Sequence, residues 1–442
     1  MRSLIAALLF ACVAPALGAG PGSPIEGLAG IERADALFEK KLYQEALKAY
    51  EPLLKSGDDE TRRRALYRAI ESEALLFRYE EAAKRSAAEK LPADPLWRAR
   101  FLILRAELGR EFLKQYGHAS PDDEEEGSQE LSRRTPAQWH AEVRASYRQL
   151  RDMRKTLSQR AISGEAYFLA LERADLEQTP SLWDFALLRW SEYLIGEAAD
   201  DDAPKPEASS FLAAEYGQSW KPGDAPAAQL GALYEEAAGL GGEERRAAAE
   251  LWKIRRLRMP FEYSELFKPF PDQAAATDAA VARLAGWMES FTQPSARAMA
   301  GYEAAVLQNG RGQFASAVAL CKRVENAWAA TRSTKRCLKL RAEIELPLMR
   351  LSARFAAPPG KGTLRLSARN LDSVHLRLYR VTPEQLEPFG RHYSGREDFG
   401  FLRHASVELI SEFAAREPDH SWVAKTNPSV PHAHTDTVAD PP

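Results

Sequence analysis

Apolar residues recur every three or four positions from about Gly30 to Leu346, and at every second position over Pro347–Phe355 and in two arms between Leu364 and Tyr379. The first spacing is that of amphipathic helices with one buried face. The second is that of strands whose alternate side chains are buried. The pattern therefore predicts a long helical array followed by a smaller β region, with the change of period near "ELPLMRLSARF".

Within the helical part, "ADALFEKKLYQEALKAYEPLLK" sets Ala34 on one helix and Ala46 on the next, with Leu42 and Tyr43 at the turn and Tyr50 filling the groove beside Ala46. Thirty-six residues after Ala46, Ala82 takes the same place behind Tyr79. "GYEAAVLQNGRGQFASAVALCKRV" repeats the arrangement with Ala305, Gly312, Phe314 and Ala317. Small residues at facing positions let two helices approach closely, and a recurrence near 34 residues is the signature of stacked tetratricopeptide-type hairpins. The segments between are degenerate, so residues 25–346 are expected to form an irregular tetratricopeptide-like array. Breaks fall at "SWKPGDAP" and "KPFPDQ".

In the C-terminal part, Leu364, Leu366 and Ala368 alternate with Arg365, Ser367 and Arg369. After a turn from Asn370 to Ser373, Val374, Leu376 and Leu378 alternate with His375, Arg377 and Tyr379. Two such arms around a short turn predict a β-hairpin with one buried and one polar face, and "PLMRLSARF" predicts a strand before it. A β-sandwich is expected over residues 347–442.

The N-terminus reads as an export signal over residues 1–19: Arg2, then an apolar run from Leu4 to Val13, then Ala16 and Gly18 at the small positions before a cut. The run is too short to span a bilayer, which takes roughly 20 residues. Leu9-Phe10-Ala11-Cys12 offers a second reading, a lipoprotein signal ending at residue 11 with Cys12 lipidated, against a bland signal-peptide cysteine. The expected location is periplasmic or secreted, with a membrane anchor only through Cys12.

Two cysteines then remain, Cys321 and Cys337. In the repeat register Cys321 falls where Tyr50 falls in the first hairpin, and Cys337 lies on the following helix. The thiols should meet across a helix–helix seam, as a disulfide in an oxidising compartment or as two buried free cysteines. Closing a loop of about 16 residues would stabilise the fold by roughly 3 kcal/mol.

A net charge of −3 lacks the basic field of nucleic-acid binders. Candidate chemistry is sparse. "PHAHTD" offers His432, His434 and Asp436, which could hold a metal with a further ligand from elsewhere, but in a polar tail with Pro at both ends they read as an uncommitted loop. "PGKGT" around Lys361 lacks the upstream glycine and the following helix of a phosphate loop, and neither Gly-x-Ser-x-Gly nor His-Glu-x-x-His occurs. The acidic runs "SPDDEEEGSQE" and "EAADDDAPKPE" lack the spaced oxygen ligands of a calcium loop. The nine tryptophans fall mostly in helical patterns and read as core wedges. No enzyme, cofactor or metal site is expected.

"LSARNLDSVHLRLYRV" resembles the Arg-Asn strand pair of the first macroglobulin-like domain in bacterial alpha-2-macroglobulin proteins, carried by Arg369, Asn370, Leu371, Val374, Arg377, Tyr379 and Arg380. "CLKLRAEIELPLMRLSARF" resembles the same family's helix-to-strand junction, and "SLWDFALLRW" one of its N-terminal helices. The resemblance implies an exported helical region followed by an Ig-like β-sandwich, in proteins proposed to trap proteases through a bait region and a thioester. Neither "CKRV" nor "CLKL" supplies the Cys-x-Glu-Gln of a thioester, so the trapping chemistry is not carried over. The chain ends at "VADPP", before the sandwich's expected last strands, as the N-terminal piece of a longer protein or the product of a truncated gene would. The expected function is non-catalytic: the protein-binding N-terminal region of an alpha-2-macroglobulin-like envelope protein linked to protease inhibition, acting as a monomer on proteases or envelope proteins. The alternative is a periplasmic tetratricopeptide-type scaffold docking envelope or cell-wall proteins.

Overall fold

The computed structural model describes residues 27–116, 134–169, 179–198, 205–213, 225–240, 242–353, 364–380, 411, 414–426, 431–432 and 434–438. These are mostly helical, with a small antiparallel β region toward the C-terminal end. The helices are α1 (Gly30–Glu39), α2 (Tyr43–Tyr50), α3 (Asp59–Leu75), α4 (Tyr79–Ala88), α5 (Pro95–Tyr116), α6 (Pro136–Asp152), α7 (Arg154–Leu157), α8 (Leu182–Ala198) and α9 (Ala208–Ala213). They continue as α10 (Pro226–Gly239), α11 (Arg246–Glu262), α12 (Gln273–Ser290), α13 (Pro294–Gly310), α14 (Phe314–Ala327) and α15 (Arg332–Glu345). The strands are β1 (Leu348–Ala353), β2 (Leu364–Arg369), β3 (Ser373–Leu378), β4 (His420–Lys425) and β5 (Thr435–Val438). Two compact units, Met1–Met299 and Ala300–Pro442, divide within α13.

Three helix-to-helix turns are built alike. Lys41, Phe77 and Gly312 adopt left-handed φ values of 62, 61 and 73°. Each is followed by a residue of nearly the same conformation: Leu42 at φ −86°, ψ 61°, Arg78 at −94°, 59° and Gln313 at −81°, 58°. The N–H groups of Leu42, Arg78 and Gln313 reach back to the carbonyls of Leu37, Glu73 and Gln308 at 3.0, 2.9 and 2.9 Å. Carbonyls that a helix end would leave open are thereby satisfied. The carbonyls of Leu42, Arg78 and Gln313 then accept the N–H of Ala46, Ala82 and Ala317 at 2.8, 3.0 and 3.0 Å. All three alanines are fully buried. Each turn thus sets the small residue of the next helix at the same place, which is the physical content of the recurrence read from the sequence.

In the first unit, α1 packs on α2, α3 on α4, α5 on α6 and α10 on α11. Trp97, Trp139, Trp183, Trp190 and Trp252 are buried in one continuous core with Tyr67, Phe101, Leu150 and Tyr234. Each such side chain taken out of water contributes on the order of 2–3 kcal/mol. Trp287, Trp328 and Trp422 are only partly buried, and Trp220 lies outside the described residues. α5 and α6 are in tight contact at Gly109, where an added Cβ would lie 2.6 Å from Val143 Cγ2. α6 opens on a reciprocal cap: Thr135 Oγ1 accepts the Gln138 N–H, and the Gln138 side chain accepts the Thr135 N–H.

In the second unit the change of period falls where the sequence places it, but the expected hairpin is corrected. β2 and β3 are both strands, yet they do not pair with each other. β2 lies between β1 and β5 in a three-stranded antiparallel sheet, and β3 pairs with β4 in a second sheet. Asn370, at φ 55°, turns the chain from one sheet to the other. Leu366 and Ala368 of β2 then share one buried cluster with Val374 and Leu376 of β3 and Ala424 of β4. Alternation fixes which side chains are buried, and facing layers bury them as fully as a hairpin would. Met349 and Leu351, in register with Ala368 and Leu366, remain about half exposed, so cover over β1 is incomplete.

Candidate functional site

Of the residues singled out from the sequence, Cys12 and Lys361 lie outside the described residues. So do most of the two acidic runs, although Glu197 is paired with Arg144 and His140, and Glu207 with Lys268. Cys321 on α14 and Cys337 on α15 are both fully buried and present as thiols. They touch: a hydrogen bond to Cys321, then burial, then the nearby carboxylates of Glu325 and Glu303 push the Cys337 thiol far above its ordinary ionisation range. α14 packs on α15, so the two cysteines lie on adjoining helices.

The histidine run has a partner. His432 Nδ1 lies 2.8 Å from Asn370 Oδ1. Asn370 Nδ2 donates to the carbonyls of Ile344 and Leu346 at 2.7 and 3.2 Å, so its oxygen is the acceptor and His432 donates. Arg369 donates to the Glu343 carbonyl at 2.7 Å and stacks over Phe314, whose ring also meets His434. The Arg-Asn pair therefore closes the C-terminal end of α15, where carbonyls need donors. Asp436, expected in an uncommitted loop, lies instead in β5 opposite Ser367. Among the described residues no group of three His, Cys, Asp or Glu side chains could hold a metal ion.

The strongest concentration of perturbed charge lies in the first unit. Asp35 Oδ1 accepts the hydroxyls of Tyr50 and Tyr167, each at 2.7 Å, and Arg64 donates to Oδ2 at 3.2 Å. Arg68 pairs with Glu71 at 2.9 Å and lies over the rings of Phe38 and Tyr167. Burial raises the Glu71 carboxyl to about 7, against the pull of Arg68. A carboxyl poised near neutrality can mark an active site. Here the contacts run within the cluster, tying residue 167 back to α1 and α3, and they bring up no nucleophile. We read it as a structural lock.

Sequence reasoning missed the feature best suited to meeting another molecule. Phe77 is 71% exposed and occupies the left-handed position that Gly312 fills in the third of the like turns. An L residue there costs roughly 1–2 kcal/mol, and such strain tends to persist where the side chain has a use. Its ring begins an aromatic strip: Phe77 to Tyr79 at 6.2 Å, Tyr79 to Tyr116 at 6.0 Å, Tyr116 to Phe112 at 5.3 Å and Phe112 to Trp139 at 4.5 Å. Tyr116 is 41% exposed, while Phe112 and Trp139 anchor the strip in the core. Aromatic side chains with fixed inner ends suit binding by contact. In the sequence Phe77 stands at the turn position that Lys41 holds in the first like turn and Gly312 in the third.

No family model, curated protein or solved structure matches the chain. Among the described residues no helix is long and apolar enough to cross a membrane.

Proposed function

We propose that the chain is a non-catalytic, exported interaction protein, the N-terminal region of a bacterial alpha-2-macroglobulin-like envelope protein linked to protease defence. Its helical part is a tetratricopeptide-like array, and its β part is a partial macroglobulin-type sandwich. One observation carries the interaction reading: a strained, exposed Phe77 heads an aromatic strip whose inner end is fixed in the core. Support for the kinship comes from Arg369 and Asn370, which carry the resemblance and close α15 at the passage into the strands. The facing of β2 and β3 across two layers also suits a sandwich better than a free hairpin would.

The test is size-exclusion chromatography of the purified chain with a panel of active endopeptidases, run beside assays on peptide, ester and glycan substrates. The expected result is a stoichiometric complex with at least one endopeptidase, weakened about tenfold or more by Phe77→Ala, and no turnover by the chain itself. Turnover of any substrate would overturn the non-catalytic reading. Binding confined to envelope or cell-wall proteins would replace the protease-linked role with that of a scaffold.

A further inference from the structure

α14 and α15 form a hairpin joined by residues 328–331, and it is tied twice besides its packing. Thr331 caps α15 by accepting the Thr334 N–H, and the Thr334 hydroxyl donates to the Trp328 carbonyl at 2.6 Å. Arg341 grips Glu325 with two donors, each at 3.0 Å. On the same two helices, with no exposed surface, Cys321 and Cys337 adjoin each other, Cys337 lying between the tied positions 334 and 341. One helix carries two duties, since α15 also presents the carbonyls of Glu343, Ile344 and Leu346 to the Arg369–Asn370 turn of the β layers.

We propose that Cys321 and Cys337 are a disulfide site, and that the bond clamps α15 so that the β layers stand on a fixed footing. Two thiols would become one S–S bond. An oxidant of the disulfide class, glutathione disulfide or a protein disulfide, takes the two electrons: one cysteine attacks it, the second displaces the mixed disulfide, and two reduced thiols leave with the two protons. Both sulfurs are buried away from any dissolved oxidant, so the bond forms as the hairpin assembles or opens. Oxidation during refolding should therefore far outpace oxidation of the native chain.

The test needs no knowledge of where the chain works. The full chain is refolded with and without glutathione disulfide, its remaining thiols are alkylated under denaturation, and it is digested with trypsin. The expected product of oxidative refolding is peptide Gly312–Lys322 joined to Cys337–Lys339, separable by reductant. Recovery of the two as separate alkylated peptides would overturn the site. The clamp is read from thermal unfolding: reductant should lower the C-terminal unit's midpoint by roughly 10 °C, a shift absent from the Cys321→Ala/Cys337→Ala double variant. A cross-linked chain whose midpoint ignores reductant would overturn the clamp.

Discussion

Arg245 holds Asp184 with both terminal guanidinium nitrogens, at 3.1 and 2.9 Å, across 61 residues of sequence. Both side chains are buried, and Trp252 Nε1 adds a third donor to the same carboxylate at 2.9 Å. Asp184 also caps its own helix, accepting the Ser181 N–H while Ser181 Oγ accepts the Asp184 N–H. Asp184→Ala would strand a buried guanidinium and a buried indole N–H. The expected loss is about 3–5 kcal/mol, read from denaturant midpoints, with Asp184→Asn losing less. A loss under about 1 kcal/mol would mean that the pair is not buried as described.

At Gly109 two effects oppose each other. Alanine would favour helix by about 1 kcal/mol, but its Cβ would lie 2.6 Å from Cγ2 of the fully buried Val143, so one of the two must shift. Gly109→Ala should therefore destabilise by roughly 1–3 kcal/mol. Combined with Val143→Ala it should cost less than the two single changes added together. A double-mutant cycle with no coupling would remove the close α5–α6 approach.

Two part-buried glutamates should give the fold opposite responses to pH. Burial alone would raise Glu107, but Arg110 and Arg189 hold its carboxyl down to about 2. Its contribution is fully present above its unfolded value and is lost as pH falls from about 4.5 toward 2, up to about 3 kcal/mol in all. Glu71 behaves in reverse. Its folded value of about 7 lies above its unfolded one, so its contribution is present below about 4.5 and lost as pH rises through 7. Denaturant unfolding across pH 2 to 8 should show both limbs. Glu107→Gln should flatten the acid one and Glu71→Gln the neutral one.

Phe77→Gly should leave the fold unharmed or stabilise it by up to about 1 kcal/mol, because glycine removes the left-handed strain at some cost in chain entropy. The same change should weaken partner binding. A loss of more than about 1 kcal/mol in stability would show that Phe77 serves packing and not contact.

What the sequence discloses follows from how local each signal is. Ala46, Ala82 and Ala317 could be placed from spacing alone, because a turn of fixed conformation sets each one down four residues later. The buried faces of β2 and β3 were equally legible, since alternation is a property of a single strand. Their partners were not. Leu366 lies beside Thr437 and Leu351 within its sheet, and nothing in the local pattern separates those neighbours from Leu376. Asp184 and Arg245 illustrate the same limit, although the Ser-x-x-Asp spacing at the head of α8 would have announced the cap. Phe77 was overlooked because neither its exposure nor its left-handed backbone is written in the spacing of apolar residues.

That the helical array hands over to two facing β layers is tested most directly by nuclear Overhauser contacts in selectively labelled chain. The prediction is backbone contact between Leu366 and Thr437 and between Leu376 and Trp422, with side-chain methyl contact between Leu366 or Ala368 and Val374 or Leu376. Backbone contacts running directly between β2 and β3 would restore the simple hairpin and contradict the two-layer unit.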